Sequence, residues 1–189
     1  WGAIDPEGGV VIYREFSFRK LDPEEIAQSI LYAQGAEQIA QTWGDPAIWQ
    51  ERRSSDLSAA QVQTLAEAGK LQLSKAKQYA KAGLLMQPAN NQRVAGKQRI
   101  HTLLKDRGDG VPWLRIMDNC PILIRTMANI QIDPERIEDV LTDYAPDDDL
   151  RDDSYDALRY LLMGVPVGKV PLRDKPKATN AAGGYWGRR

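Results

Sequence analysis

A five-residue stretch, Asp5-Pro6-Glu7-Gly8-Gly9, lies between two apolar runs, residues 1–4 (WGAI) and 10–18 (VVIYREFSF). Proline presets its own φ, and glycine reaches the backbone conformations that tight turns need. Two strands joined by so short a link can pair only antiparallel, because a parallel pair needs a crossover of a dozen residues or more. The chain therefore opens as a hairpin. In its second strand Val11, Tyr13 and Glu15 alternate with Val10, Ile12 and Arg14, so one face is half-exposed.

Helices follow. Asp22-Pro23-Glu24-Glu25 carries an N-cap aspartate, a proline at the first helical position and glutamates in the first turn. Ile26 and Ile30 give that helix an apolar stripe. Residues 37–43 are a weak strand ending at Gly44-Asp45-Pro46-Ala47. Residues 56–68 read as a helix stopped by Gly69, and a further helix runs to about 82, stopped by Gly83, before a short LLMQ strand. The similarity of LAEAGKLQL (65–73) to YAKAGLLMQ (79–87) is too brief to define a repeat architecture. Residues 92–105 form a helix, 113–117 a strand, 122–127 a helix or buried strand, and 133–140 a short capped helix. A last helix runs from Asp152 or Asp153 to Met163, stopped by Gly164 and Pro166. An antiparallel start followed by helices alternating with single strands predicts a mixed α/β sheet with helices on its faces. One domain, residues 1–164, accounts for this pattern. Residues 165–189, rich in Gly, Pro, Lys and Arg, read as a flexible basic tail.

The 189 residues carry 25 Lys and Arg against 26 Asp and Glu, so bulk charge does not point to nucleic acid or membrane. A local basic groove remains open. No apolar run of about 18 residues occurs, which predicts no membrane span. A lone cysteine, Cys120, sits among apolar neighbours and fits a core position in a reducing compartment. Neither GxxxxGK[ST] nor GxGxxG is present, so no nucleotide-binding loop is expected.

Residues 147–156 hold six aspartates in ten positions. Asp153 and Asp156, three apart, share one face of the last helix. Acids near a helix N-terminus are favourable by about 0.3–1 kcal/mol each, which accounts for Asp147 to Asp149 as a solvated lead-in. Closely packed carboxylates raise one another's pKa unless a cation neutralises them, and a divalent ion is the usual solution. Both readings stay open for Asp153 and Asp156. Asp45, at a predicted strand end before a proline, is either a turn aspartate or a site residue. Asp5 reads more naturally as a turn residue, His101 as a surface or half-buried histidine, and Trp1, Trp43, Trp49 and Trp113 as core. Arg93, Lys97 and Arg99, beside Asn90-Asn91-Gln92, form a basic helix face that would meet phosphates or simply be solvated.

The order of GDPAIW, GLLMQPANNQRVAG, WLRIMDNCPILIRTM and DDSYDALRY resembles the nuclease domain of tailed-bacteriophage terminase large subunits, the DNA-packaging motor proteins. The resemblance spans roughly residues 1–164. It implies an RNase H-like (RuvC-like) fold whose clustered carboxylates hold two Mg²⁺ or Mn²⁺ ions. Carried over, Asp45 would be the middle acid and Asp153 the last-helix acid, with Asp156 one turn on and Asp152 a neighbour. Arg93 and Lys97 would contact DNA. The implied activity is endonucleolytic cutting of concatemeric double-stranded viral DNA. The implied partners are the terminase ATPase domain, the small subunit and the portal, in the host cytoplasm and transiently at the procapsid portal. The family's first catalytic aspartate lies on a strand just before the stretch that begins here at Trp1, so the chain is expected to be a fragment lacking that first strand. A catalytically inactive docking module, or prophage remnant, is the alternative. A junction resolvase is disfavoured because such a protein would carry a strongly basic face.

Overall fold

The computed structural model describes residues 1–50, 58–67, 69, 74–140 and 153–166. Strands β1 (Gly2–Ile4) and β2 (Val10–Ile12) form the expected antiparallel hairpin, with Ala3 opposite Val11. Asp5 makes the turn: its Oδ1 accepts the backbone N–H groups of Glu7 and Gly9 at 3.0 and 2.7 Å. Helix α1 (Pro23–Gln34) starts where the cap signal placed it, and Asp22 and Glu25 close a reciprocal capping box. Then come β3 (Trp43–Gly44), a 3₁₀ turn (Pro46–Trp49), α2 (Ala59–Glu67), α3 (Lys75–Lys81) and β4 (Gln87–Pro88). The chain continues through α4 (Arg93–Leu103), β5 (Leu114–Ile116), α5 (Pro121–Asn129) and α6 (Asp153–Gly164).

The described strands form two small sheets. In the first, of order β1-β2-β5, β5 runs parallel to β2 and β1 antiparallel to it; in the second, β3 pairs parallel with β4. This is a mixed α/β architecture. The main core gathers Val10, Ile12 and Leu114 from the first sheet with Ile100, Leu103, Leu123, Leu158 and Leu162 from α4, α5 and α6. A smaller core joins Ile26 and Ala27 of α1 to Tyr79 and Leu84. Helix α6 links the sheets. Its core positions face the first sheet, while its C-terminal Gly164 lies so close to the Trp43 indole of β3 that a Cβ there would overlap the ring.

Of the expected strands, 37–43 is reduced to Trp43–Gly44 and LLMQ to Gln87–Pro88, and two further elements depart more. The second strand stops at Ile12 rather than running to residue 18. The side chains that follow are taken by other partners: Tyr13 donates to Glu37, Arg14 pairs with Glu37, and Glu15 crosses to α5. Glu15 accepts the N–H groups of Ile122 and Leu123 at 2.7 and 2.8 Å and so caps α5, whose own N-cap residue, Cys120, makes no side-chain cap. Residues 133–140 are not a helix. Asp133 accepts from the Glu135 N–H, and a bridge between Ile132 and Val140 closes the segment into a loop. The Asp-Pro-Glu start signal therefore serves a turn here. The segments 141–152 and 167–189, which hold Asp147 to Asp149, Asp152 and nearly all of the expected tail, lie outside the described residues. Among the described residues no helix is long and apolar enough to cross a membrane.

Asp5 is also an electrostatic anchor. Its Oδ2 meets Arg115 at 2.6 Å and Arg107 at 3.3 Å, and a Cβ on Gly9 would strike its carboxylate. Burial alone raises its pKa, but the Gly9 N–H and the two arginines outweigh burial and hold the carboxyl below the usual carboxylate range. A folded-state pKa below the unfolded one, about 3.9, stabilises the protein above that value, and the contribution is lost as pH falls through the folded pKa. The stability difference between wild type and Asp5→Asn in urea melts should therefore be constant above about pH 4 and shrink below it. A difference that stays level down to pH 2 would remove this role.

Candidate functional site

Helix α6 is buried on most of its circumference, and its residues divide by helical spacing. Tyr155, Leu158 and Leu162 face the main core. Asp156, Arg159 and Tyr160, three and four apart, share another face, which meets α4 and the end of β3. Arg159 is 1% exposed. It can be this deep because α4 carries Gly96 at the crossing: a Cβ there would lie 2.6 Å from Arg159 Cδ.

The side chains on this face form one connected network. Arg159 Nε donates to Asp156 Oδ1 at 3.1 Å and Arg159 Nη2 to Asn91 Oδ1 at 3.0 Å. The Tyr160 hydroxyl donates to Asp45 Oδ2 at 2.9 Å, with Asn91 Oδ1 a longer second acceptor at 3.4 Å. The guanidinium of Arg159 also lies over the Tyr160 ring, 4.6 Å from its centroid. Asp156 Oδ2 faces Arg93 Nη1 at 3.6 Å, and Arg93 Nε reaches the buried Asp139 at 3.1 Å. Burial first, then the hydrogen bond to Asp45 and the charge of Asp156, push the Tyr160 hydroxyl up to about 12, so it remains a donor across the physiological range. Burial likewise pushes Tyr155 up to about 12. Tyr155 Oη and Arg159 Nη1 are buried without a hydrogen-bond partner.

Asp45 caps the 3₁₀ turn through Oδ1, which accepts the Ala47 N–H at 2.7 Å, while Oδ2 takes Tyr160. Its turn role and its place in the network therefore coexist. Asp153 is exposed in the first turn of α6. Of the residues singled out by sequence, Asp45, Asp156 and Arg93 are brought into the one network. Lys97 lies beside it: its Nζ donates to the carbonyls of Ile137 and Asp139 at 3.2 and 3.1 Å, tying the 132–140 loop to α4. Both basic side chains thus have contacts within the protein. Asp5 lies with Arg107 and Arg115 at the hairpin turn, His101 is exposed, and Cys120 is buried with its thiol pKa pushed up by burial.

Sequence reasoning passed over Arg159, Tyr160 and Asp139. The first two stand three and four residues after Asp156, so following the helical face of that aspartate would have found them. Asp139 carries no such signal, because the loop that buries it reads as a helix.

A hard divalent cation asks for carboxylate oxygens not already neutralised. Asp45 meets this in part: a carboxylate offers about four lone-pair sites, and its two hydrogen bonds leave room for a ligand bond. The exposed Asp153 carboxylate is the right donor type. Asp156 fits less well, since Arg159 and Arg93 both compensate its charge. Among the described residues no three His, Cys, Asp or Glu side chains converge to hold a metal ion. Comparison with known proteins finds no matching family model, no matching curated protein and no matching solved structure.

Proposed function

We propose that the chain is the divalent-metal-dependent endonuclease domain of a phage terminase large subunit, with an RNase H-like fold, acting on concatemeric double-stranded viral DNA during genome packaging. The observation that supports this reading is the hydrogen bond from Tyr160 to Asp45, two residues 115 positions apart. It brings a strand-end acid to the acid-bearing face of the last helix, as a carboxylate nuclease requires. Asp45 and Asp153 carry the donors suited to Mg²⁺ or Mn²⁺, with Asp152 a further candidate ligand, and Asp156 belongs to the same site through Arg159. When bound, such an ion supplies Lewis-acid polarisation of the phosphodiester. The chain's own part is to hold carboxylates at the end of β3 and the start of α6, while Arg93 and Lys97 stand on α4 beside them. The terminase ATPase domain, small subunit and portal are the proposed partners, in the host cytoplasm.

The second reading is a catalytically inactive docking module. The compensation of Asp156 by two arginines favours it, because an acid already neutralised has less to offer an ion. Plasmid nicking with Mn²⁺, with and without chelator, separates the two. The nuclease reading expects chelator-sensitive cleavage that falls roughly 10²–10³-fold in Asp45→Asn and in Asp153→Ala, the loss of several kcal/mol of transition-state stabilisation. Cleavage that survives chelator or Asp45→Asn would place the chemistry elsewhere. A folded chain that does not cleave would favour the docking module.

A further inference from the structure

Between Glu67 and Asp106 the sequence holds eight lysines and arginines and not one acid, in a chain whose net charge is −1. The structure divides these cations between two tasks. Those of α4 serve inside the protein: Arg93 reaches Asp139, Lys97 holds the carbonyls of Ile137 and Asp139, and Arg99 donates to the carbonyls of Leu162 and Val165. Those of α3 lie on the surface. The helix is seated by its buried residues Ala76 and Tyr79, the latter in the small core with Ile26 and Ala27 of α1. Lys75, Lys77 and Lys81 are exposed, and the helix has no acid of its own. Lys77 and Lys81, four apart, share its outward face. Among the described residues no ion pair engages Lys75 or Lys81. Nor does α1 bring an acid to the Lys81 end. Gly83, two residues on, lies against Leu31, where an added Cβ would sit 3.6 Å from Leu31 Cδ1. At 1.5 Å per residue, Leu31 is about 10 Å along α1 from the first-turn acids Glu24 and Glu25. Helix α3 also packs against the 3₁₀ turn that Asp45 caps, so its lysines stand beside the candidate site.

We propose that the outward face of α3, formed by Lys77 and Lys81 with the adjoining Lys75, is the surface that meets the phosphate backbone of double-stranded DNA, in place of Arg93 and Lys97. The inference rests on the reading of the chain as one that acts on duplex DNA; it involves no metal ion and asks nothing of the Asp45 carboxylate. A duplex carries one negative charge per about 1.7 Å of its axis, and ammonium groups on long flexible stems meet such a charge without regard to base sequence. The acid-free stretch supplies the matching sign, and the commitment of the α4 cations within the fold leaves α3 to present it. A membrane surface is the weaker match. A helix that lies in a bilayer interface needs a large apolar face to bury there, whereas α3 turns Ala76 and Tyr79 inward and shows only Lys77, Ala80 and Lys81 on its outer side.

The test is fluorescence anisotropy of a labelled DNA duplex with the full 189-residue chain. Chelator is present throughout, so that binding is read without cleavage, and the salt concentration is varied. The variants are a triple, Lys75→Gln with Lys77→Gln and Lys81→Gln, the same three positions changed to arginine, and a control pair, Lys20→Gln with Lys105→Gln, at exposed lysines away from α3. Thermal melts check folding. Each phosphate contact contributes about 0.9 to the slope of log affinity against log salt, so the glutamine triple should flatten that slope by about 2–3 and weaken binding at least about 10-fold near 0.1 M salt. The arginine triple should bind like wild type, and the control pair should lose clearly less than the glutamine triple. A glutamine triple that binds like wild type, or a control pair that loses as much, overturns the assignment to α3, even if the protein nicks plasmid. A wild type that does not bind the duplex overturns DNA as the partner. Capture of vesicles of phosphatidylcholine and phosphatidylserine by such a protein, lost in the glutamine triple, would make the face a membrane contact instead. Duplex binding that maps to α3 in a protein that never cleaves upholds this inference while the nuclease reading fails.

Discussion

Arg159→Met is expected to destabilise the protein by about 3–5 kcal/mol, because removing one partner of a buried ion pair leaves the other uncompensated. Methionine fills much of the stem's volume over Gly96 but strands Asp156 Oδ1 and Asn91 Oδ1, the two acceptors that the guanidinium serves. Arg93 remains 3.6 Å from Asp156 Oδ2 and relieves part of the charge, which places the expected loss toward the lower end. Urea unfolding measures it as a lower midpoint with an unchanged slope. Adding Asp156→Leu to Arg159→Met should recover part of the loss, since apolar replacement of both partners avoids the stranded charge. A single-mutant cost under about 1 kcal/mol, or a double mutant worse than the sum of the two singles, would mean that the Arg159–Asp156 pair does not hold this face together.

Leu162→Ala should cost about 3–4 kcal/mol. Leu162 is 0% exposed, and it packs in the main core with Ile100, Leu103, Leu123 and Leu158. Truncation loses the transfer free energy of the buried side chain and leaves a cavity that helices on both sides cannot collapse into freely. At about 2–4 °C per kcal/mol for a chain of this size, the melting temperature should drop roughly 10 °C. Ile137→Ala, at a position 76% exposed, is the matched control and should stay within about 0.5 kcal/mol of wild type. If the two variants melt together, α6 is not packed as described.

Much of the fold was legible because its signals are local. The Asp5–Gly9 turn, the Asp22 capping box, the glycines at 69 and 83 and the α6 pattern each depend on residues within one turn of one another, and each appears where expected. The misses involve distant partners. Strand β2 ends early where the Tyr13 carbonyl accepts from the Asn119 side-chain amide, 106 residues on, rather than from a neighbouring strand. Asp133-Pro134-Glu135 has a helix-start pattern, yet the segment closes on itself as a loop, the Asp133 N–H donating to the Asp139 carbonyl, and Lys97 of α4 holds it there. The site follows the same division. Helical spacing raised Asp156 and a strand-end position raised Asp45, but nothing local in DDSYDALRY shows that the arginine three residues on would lie buried against Gly96, because that depends on how α4 and α6 cross.

The cap that Glu15 places on α5 bears on the order of folding. A helix with its cap in its own sequence can nucleate early and wait for the rest of the chain. Helix α5 opens on Cys120, which offers no cap, and borrows a carboxylate 107 residues away. Closing so long a loop costs chain entropy before any contact repays it. The first turn of α5 is therefore completed only once the N-terminal hairpin has docked, and it reports the assembly of the sheet rather than the helical tendency of its own nine residues.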